Sequence, residues 1–381
     1  MSGPQFGSFL PQELLWEILS CLPVKALMRF RCVCKSWDSL IFDPTFVKLH
    51  LQQSSTNTSL LYTLRNFDAS KRTFSVHCSL EGLRDNPSFT FDDGGIPWKS
   101  KYEVIGVCNG LVCLATKTLE YEFVRVWVRF WNPATRLRSQ KSCILQNLGL
   151  SYLMAMGFGY DDSNDTYKVV AVYVNRITQK TEVIVHCMGN SCLKKVASWS
   201  GFSTLYANTA TLETDGLYVA GTLNWIEATS VKIGDKYSIF SFDLRNETCR
   251  YYLLPHGFNI NMHEYSQFIG VLRGCLCFVH YEEATRFSVW QMKEFGSEES
   301  WTMLLKVSCV ELQIFKYSYH QFPLCINENG DVLLLNVDLE GGQFIMYNRR
   351  YDTLEKIHSV ANALRLKFFD YGQSLVLPYC N

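Results

Sequence analysis

Apolar and polar positions follow two different rhythms along this chain, and the change of rhythm divides it. Between residues 10 and 51 the apolar positions recur three and four apart. Leu10, Leu14, Leu15, Ile18, Leu19 and Leu22 form one stripe of an amphipathic helix. Pro11 suits a first helical turn, where a missing N–H costs nothing, and Pro23 ends this helix and can start the next. Val24, Leu27, Met28 and Arg31 continue a second short helix, and Cys34, Trp37, Leu40 and Ile41 mark a third. Asp43-Pro44 breaks it, and Phe46, Val47 and Leu49 follow in a last turn or short helix. A unit of about 40 residues rarely stabilises itself without metal, disulfide or partner. Its apolar surface therefore needs a cover, either the rest of the chain or another protein.

Residues 1–9 read as a tail and the polar stretch QQSSTNTS, 52–59, as a linker. From residue 60 to residue 381 the period is two. VRVWVRFW (124–131), YKVVAVYV (167–174), EVIVHC (182–187), YSIFSFDL (237–244), FSVWQM (287–292) and FIMYN (344–348) read as strands separated by turn signals such as NPAT, DDSND and RNET. One strand type recurs: an apolar run, an aromatic residue or His, then a polar, turn-rich tail. Its registers fall at His77, Trp131, His186, Phe242, Trp290 and Tyr347, in steps of 48 to 57 residues. A second type, often opened by Gly, precedes it: NGLVCLA (109–115), DGLYVAGTLNW (215–225), RGCLCFV (273–279) and NGDVLLL (329–335). A strand-rich repeat near 50 residues predicts a β-propeller of about six blades, with five to eight in range. The segment Phe368–Cys380 is expected to close the ring beside Leu60–Leu64.

Composition narrows the function classes. Lys+Arg and Asp+Glu are both 36, so no basic excess draws the chain to nucleic acid or an anionic membrane. Glu13 and Glu17 interrupt the first apolar stretch, which lacks the basic start of a secretory signal. The 15 Cys show no C-x-x-C spacing, and Cys108, Cys113, Cys187, Cys275 and Cys277 sit in apolar strand patterns. They read as reduced core thiols, which places the protein in the cytoplasm or nucleus. No metal site, cofactor or membrane span is expected. MGFGYDD (156–162) lacks the last glycine of a dinucleotide loop and reads as a turn entering a strand. His186 and Cys187 are neighbours on a strand, so they point to opposite faces and cannot form a nucleophile pair.

The order Leu10-Pro11, Ile18-Leu19, LPVKAL (22–27), RCVCKSW (31–37) and Asp43-Pro44-x-Phe46 resembles an F-box. The remainder resembles the F-box-associated, kelch-like domain of plant F-box proteins. The marks are YEVIGVCNGLVCL (102–114), WNPATR (131–136), GFGYDDSNDTYKVV (157–170), LNWI (223–226) and VWQMKEFG (289–296). The resemblance implies a non-catalytic substrate receptor of an SCF-type ubiquitin ligase. Residues 10–51 would dock on a Skp-type adaptor and through it on cullin and a RING subunit, and residues 60–381 would capture an unknown protein target. The adaptor-binding positions it implies are Leu10, Pro11, Ile18, Leu22, Pro23, Val24, Leu27, Arg31, Val33, Cys34, Trp37 and Leu40, shared with the unit's own small core. Trp37 is a natural anchor, and Lys25, Arg29, Arg31 and Lys35 form a basic set suited to an acidic adaptor rim. Target contacts are expected on loops such as 117–123, 227–236 and 256–267, with WNPATR mainly structural. Two other readings stay open: a propeller lectin or enzyme with an accessory helical unit, and an adaptor-binding scaffold outside the ligase.

Overall fold

Four helices precede the strands: α1 (Gln12–Ser20), α2 (Val24–Phe30), α3 (Lys35–Ile41) and α4 (Pro44–Ser54). The computed structural model describes residues 11–54, 58–66, 73–79, 102–120, 123–145, 151–175, 178, 180–189, 193–199, 214–229, 236–255, 267–282, 286–308, 320–326, 329–337, 341–361 and 363–379. Pro11 and Pro23 stand at the N-caps of α1 and α2. Asp43 starts α4: its carboxylate accepts the backbone N–H groups of Thr45 (2.8 Å) and Phe46 (3.2 Å), two donors with no helical partner. The helix runs on through Ser54, and the first strand begins at Thr58. The expected linker is thus mostly the end of one element and the start of another. Gln53 accounts for part of this, because its side-chain oxygen accepts a 2.6 Å hydrogen bond from the Ser20 hydroxyl and ties α4 to α1. Leu19, Val24, Leu27, Ile41 and Phe46 are buried at the centre of the unit.

The strands form six blades. They are β1 (Thr58–Asn66) and β2 (Thr73–Ser79), then β3 (Glu103–Cys108), β4 (Leu111–Glu120), β5 (Phe123–Asn132), β6 (Leu137–Arg138) and β7 (Ser142–Leu145) of the second blade. The third blade holds β8 (Ser151–Asp161), β9 (Thr166–Asn175), β10 (Thr181–Cys187) and β11 (Leu193–Trp199). The fourth holds β12 (Thr214–Val219), β13 (Thr222–Thr229), β14 (Lys236–Asp243) and β15 (Cys249–Leu253). The fifth holds β16 (Gln267–Leu272), β17 (Cys275–Glu282), β18 (Arg286–Met292) and β19 (Trp301–Ser308). The sixth holds β20 (His320–Ile326), β21 (Val332–Val337), β22 (Gly341–Asn348) and β23 (Thr353–Ala361). The last strand, β24 (Ala363–Gly372), returns to pair antiparallel with β1, placing Phe369 opposite Leu61 and completing the first blade. The innermost strands β24, β3, β8, β12, β16 and β20 touch in a closed circle.

All six repeat registers read from the sequence fall on the third strand from the centre: β2, β5, β10, β14, β18 and β22. In three blades the cause is the turn that follows. Asn132, Asp243 and Asn348 come directly after the aromatic residue. The side-chain oxygen of each accepts two turn N–H groups: Ala134 and Thr135, Arg245 and Asn246, Arg350 and Tyr351. The turn then ends on a left-handed residue, Arg136, Glu247 or Asp352.

Blades three and four approach so closely that β8 and β12 pair in parallel, with Gly157 opposite Gly216. A Cβ at Gly157 would lie 3.0 Å from Leu223 and Trp225, and one at Gly216 would lie 2.5 Å from Trp225. The glycine of MGFGYDD therefore makes room for a neighbouring blade. It sits within a strand rather than in the turn, which is DDSND itself. Lys168 crosses the same junction. Its Nζ meets Asp161 at 2.9 Å and Glu247 at 3.1 Å and donates to the Leu244 carbonyl at 2.7 Å, almost wholly out of water. Burial alone would raise the pKa of Asp161. Hydrogen bonds from Ser163, Asn164 and Lys168 outweigh it and hold the carboxyl well below the usual range.

Candidate functional site

The helical unit divides its apolar residues between an inside and an outside. On α1 and the turn after it, the inward residues are Leu15, Leu19 and Leu22. The outward stripe is Pro11, Leu14 and Ile18, three and four apart on one helical face. Leu14 is 45% exposed and Ile18 53%, and Pro11 and Pro23 are exposed as well. Between α2 and α3, Val33 is 67% exposed and Cys34 is exposed beside it. The Ser36 hydroxyl, 3.0 Å from Cys34 Sγ, and the backbone of α3 lower the pKa of that thiol. Exposed large apolar side chains gathered on so small a unit mark an interaction surface.

The remaining positions singled out in the sequence sort as follows. Leu10 lies outside the described residues. Leu22, Trp37 and Leu40 are half-buried, packed against the unit's core from its rim, with Trp37 edge-on to Phe30 at 5.4 Å. Arg31 is held within the unit by Asp38 at 2.6 Å and lies over the Phe42 ring at 4.2 Å, while Lys25, Arg29 and Lys35 are exposed. Val24 and Leu27 are corrected: both are fully enclosed in the unit's own core, and a side chain with no exposed area offers nothing to a partner. Leu14 is the residue the sequence reading left out of the surface. Its i, i+4 spacing to Ile18 was the available signal.

The unit rests on one face of the propeller. Lys48 of α4 meets Asp165 of the β8–β9 turn at 2.6 Å, and Ala134 of the WNPATR turn packs on the helical core. The segment after β24 runs between the two: Leu375 enters the helical core and Val376 enters the core of blades two and three. Asn132 holds this segment, its Nδ2 donating to the carbonyls of Ser374 (2.9 Å) and Val376 (2.8 Å). The expected ring closure is therefore made by Ala363–Gly372, while SLVLPY crosses to the helices. The β3–β4, β5–β6 and β8–β9 turns all lie on this face. Strand alternation therefore sends Glu120/Phe123, Thr229/Lys236 and Leu253/Gln267 to the opposite face. Those strand ends flank loops 117–123, 227–236 and 256–267, most of whose residues lie outside the described residues.

The regular aromatics are not a ligand platform. Phe242 is fully buried, Tyr347 nearly so, and Trp131 and Trp290 are half-buried against apolar clusters. Burial pushes the Cys249 thiol up to about 11 and Cys277 up to about 12, and raises Cys108 and Cys113 further. Among the described residues no three His, Cys, Asp or Glu side chains gather where they could hold a metal ion, and no helix is long and apolar enough to cross a membrane.

Comparison with known proteins matches residues 8–52 to the family described as F-box-like, and residues 69–377 to the F-box associated beta propeller domain. An F-box/kelch-repeat protein of Arabidopsis thaliana is 32% identical over 304 residues, covering 78% of this chain and 79% of its own. The F-box protein CPR1 of the same plant is 27% identical over 347 residues, covering 86% of this chain and 80% of its own. Among solved structures, TolB from Acinetobacter baumannii is similar at a TM-score of 0.47 and 11% identity, covering 86% of this chain and 73% of that one. The six-bladed reading rests on the strand pairings instead.

Proposed function

The chain belongs to the plant F-box proteins that carry an F-box-associated β-propeller domain, and from that premise we propose that it is the substrate-recognition subunit of an SCF-type ubiquitin ligase. The observation that carries this reading is the outward stripe of α1. Pro11, Leu14 and Ile18, and Val33 and Cys34 between α2 and α3, remain uncovered on a unit whose core encloses Leu19, Val24, Leu27, Ile41 and Phe46. A Skp-type adaptor would complete that surface, with Lys25, Arg29 and Lys35 on its rim steering encounter. The adaptor in turn would bring cullin and a RING subunit. The target would bind the propeller face turned away from the helices.

In this role the chain needs no catalytic group. It holds a target near a charged conjugating enzyme and converts an encounter into an oriented, effectively intramolecular reaction. The reduced, buried thiols suit a cytoplasmic or nuclear setting. The test is a pull-down with a plant Skp-type adaptor, comparing the intact chain with Leu14→Asp/Ile18→Asp. Adaptor capture by the intact chain and its loss in the double variant is the expected result. Equal capture by both would sink the assignment of the surface. Capture of adaptor without cullin in the reconstituted mixture would favour a scaffold outside the ligase.

A further inference from the structure

We infer that the C-terminal segment Gln373–Tyr379 is a strap that completes the core of the helical unit from the propeller side, so that the two parts move as one body. The inference deepens the receptor reading, because a rigid join fixes where the target stands relative to the adaptor. It rests on geometry that is independent of the adaptor.

Consecutive side chains of the strap enter different cores. Leu375 is fully buried among Leu19, Val24, Leu27, Ile41 and Phe46, whereas Val376 packs into the propeller. The helical core is thus built from residues more than 300 positions apart in the chain, and its last apolar piece arrives with the final turn of the ring. Nothing in the local sequence of the helices supplies that piece.

The strap has dedicated anchors. Asn132 is fully buried and uses both ends of its carboxamide. Its oxygen caps the WNPATR turn, as Asp243 and Asn348 do in their blades, while its Nδ2 donates to two strap carbonyls. Asp243 cannot make the second set of bonds, because a carboxylate has no donor. The Ser374 hydroxyl donates to the Asn109 carbonyl at 2.7 Å. Gly110, at φ +75, is where a Cβ would strike that hydroxyl at 2.4 Å. The ion pair of Lys48 with Asp165 is a second, exposed tie between the same two parts. Asn132 is therefore a positioning residue: it acts on the adaptor-binding unit through the strap.

Amide hydrogen exchange of the full-length chain, resolved by peptide, tests this. Leu375→Ala should speed exchange across α2–α4 by about 30-fold or more, with Leu375→Met restoring protection. Asn132→Asp is the sharper variant. It keeps the acceptor that caps the turn and removes the donor to the strap. Faster exchange in α2–α4, with the β5–β6 turn and blades five and six unchanged, supports the strap. Unchanged exchange of the helices in either Leu375→Ala or Asn132→Asp overturns it. Equal loosening of blades five and six also overturns it, by making the segment ordinary propeller core. If the intact chain captures no adaptor, the receptor reading falls while the exchange result still decides the strap.

Discussion

The helical unit encloses Leu19, Val24, Leu27, Ile41 and Phe46 yet leaves Leu14, Ile18 and Val33 in solvent, whereas the propeller covers each blade with the next and closes on itself. Among the described residues, the large exposed apolar side chains beyond the helices are Tyr251, Leu253 and Met303 on outermost strands, Tyr351 on a turn and Tyr379 at the end of the segment after β24. The two regions draw on similar side chains, so the contrast is one of geometry. A closed ring gives every apolar sheet face a neighbour. Four helices of seven to eleven residues enclose only a small interior, and the surplus stays outside. The surplus points to a partner, and the closed ring points to a platform.

Changes inside the ring should strike stability and spare docking. Lys168→Met strips the fully buried Asp161 of its cation and leaves Glu247 only the exposed Lys194 at 2.6 Å, and removal of one member of a buried ionic set costs about 3–5 kcal/mol. Denaturant unfolding should register that loss while the folded fraction still captures adaptor. Docking lost in proportion to stability would erase the distinction between the regions. Changes on the outward stripe should do the reverse. Leu14→Asp/Ile18→Asp should weaken adaptor binding by about 30-fold or more if the pair includes a hot spot. The unfolding free energy should stay within the change expected of a surface site, about 0.5 kcal/mol. A large fall in melting temperature would mean that the stripe belongs to the core after all.

A smaller effect is expected at the blade junction, where Arg245 pairs with Asp162 at 2.5 Å through two nitrogens, both side chains about half exposed. Arg245→Ala should lower stability only slightly in denaturant unfolding, and the difference should shrink in high salt. The smallest concerns pH. Burial lowers the pKa of His50, against a 3.0 Å hydrogen bond to the Leu22 carbonyl that favours the charged form. The folded value therefore lies below the unfolded one of about 6.5. The stability this neutral ring confers is present above that pH and is lost as pH falls through the folded value. His186 gives the propeller the same sign. Exchange measured in α4 alone should separate them, with His50→Gln flattening the acid dependence there and not in blade three.

Much of this architecture was legible in the sequence. Apolar spacing placed all four helices, and the 48–57 residue recurrence marked the third strand of every blade, in three of them because the same hinge from strand to turn repeats there. Patterns of that kind are local, and a local pattern can be read from one chain. What could not be read depends on distant partners. Asn132 looks like any turn residue until Ser374 and Val376 arrive beside it. Gly157 looks like a loop glycine until Trp225 occupies its Cβ position. Val24 and Leu27 carry the same apolar signal as Ile18, and only packing assigns them to opposite sides. The end of α4 reads as linker in the sequence because Gln and Ser are as common in linkers as in exposed helical turns.

The pairing of β1 with β24 also sets a timetable. β1 leaves the ribosome early, and its partner follows about 300 residues later. At roughly 5–20 residues per second, that is a wait of about 15–60 s with one edge of the first blade unpaired. Leu375 emerges just after β24, so the helical unit completes its core in the same late event. The residues that follow β24 therefore set when the outward stripe of α1 first stands on a finished core.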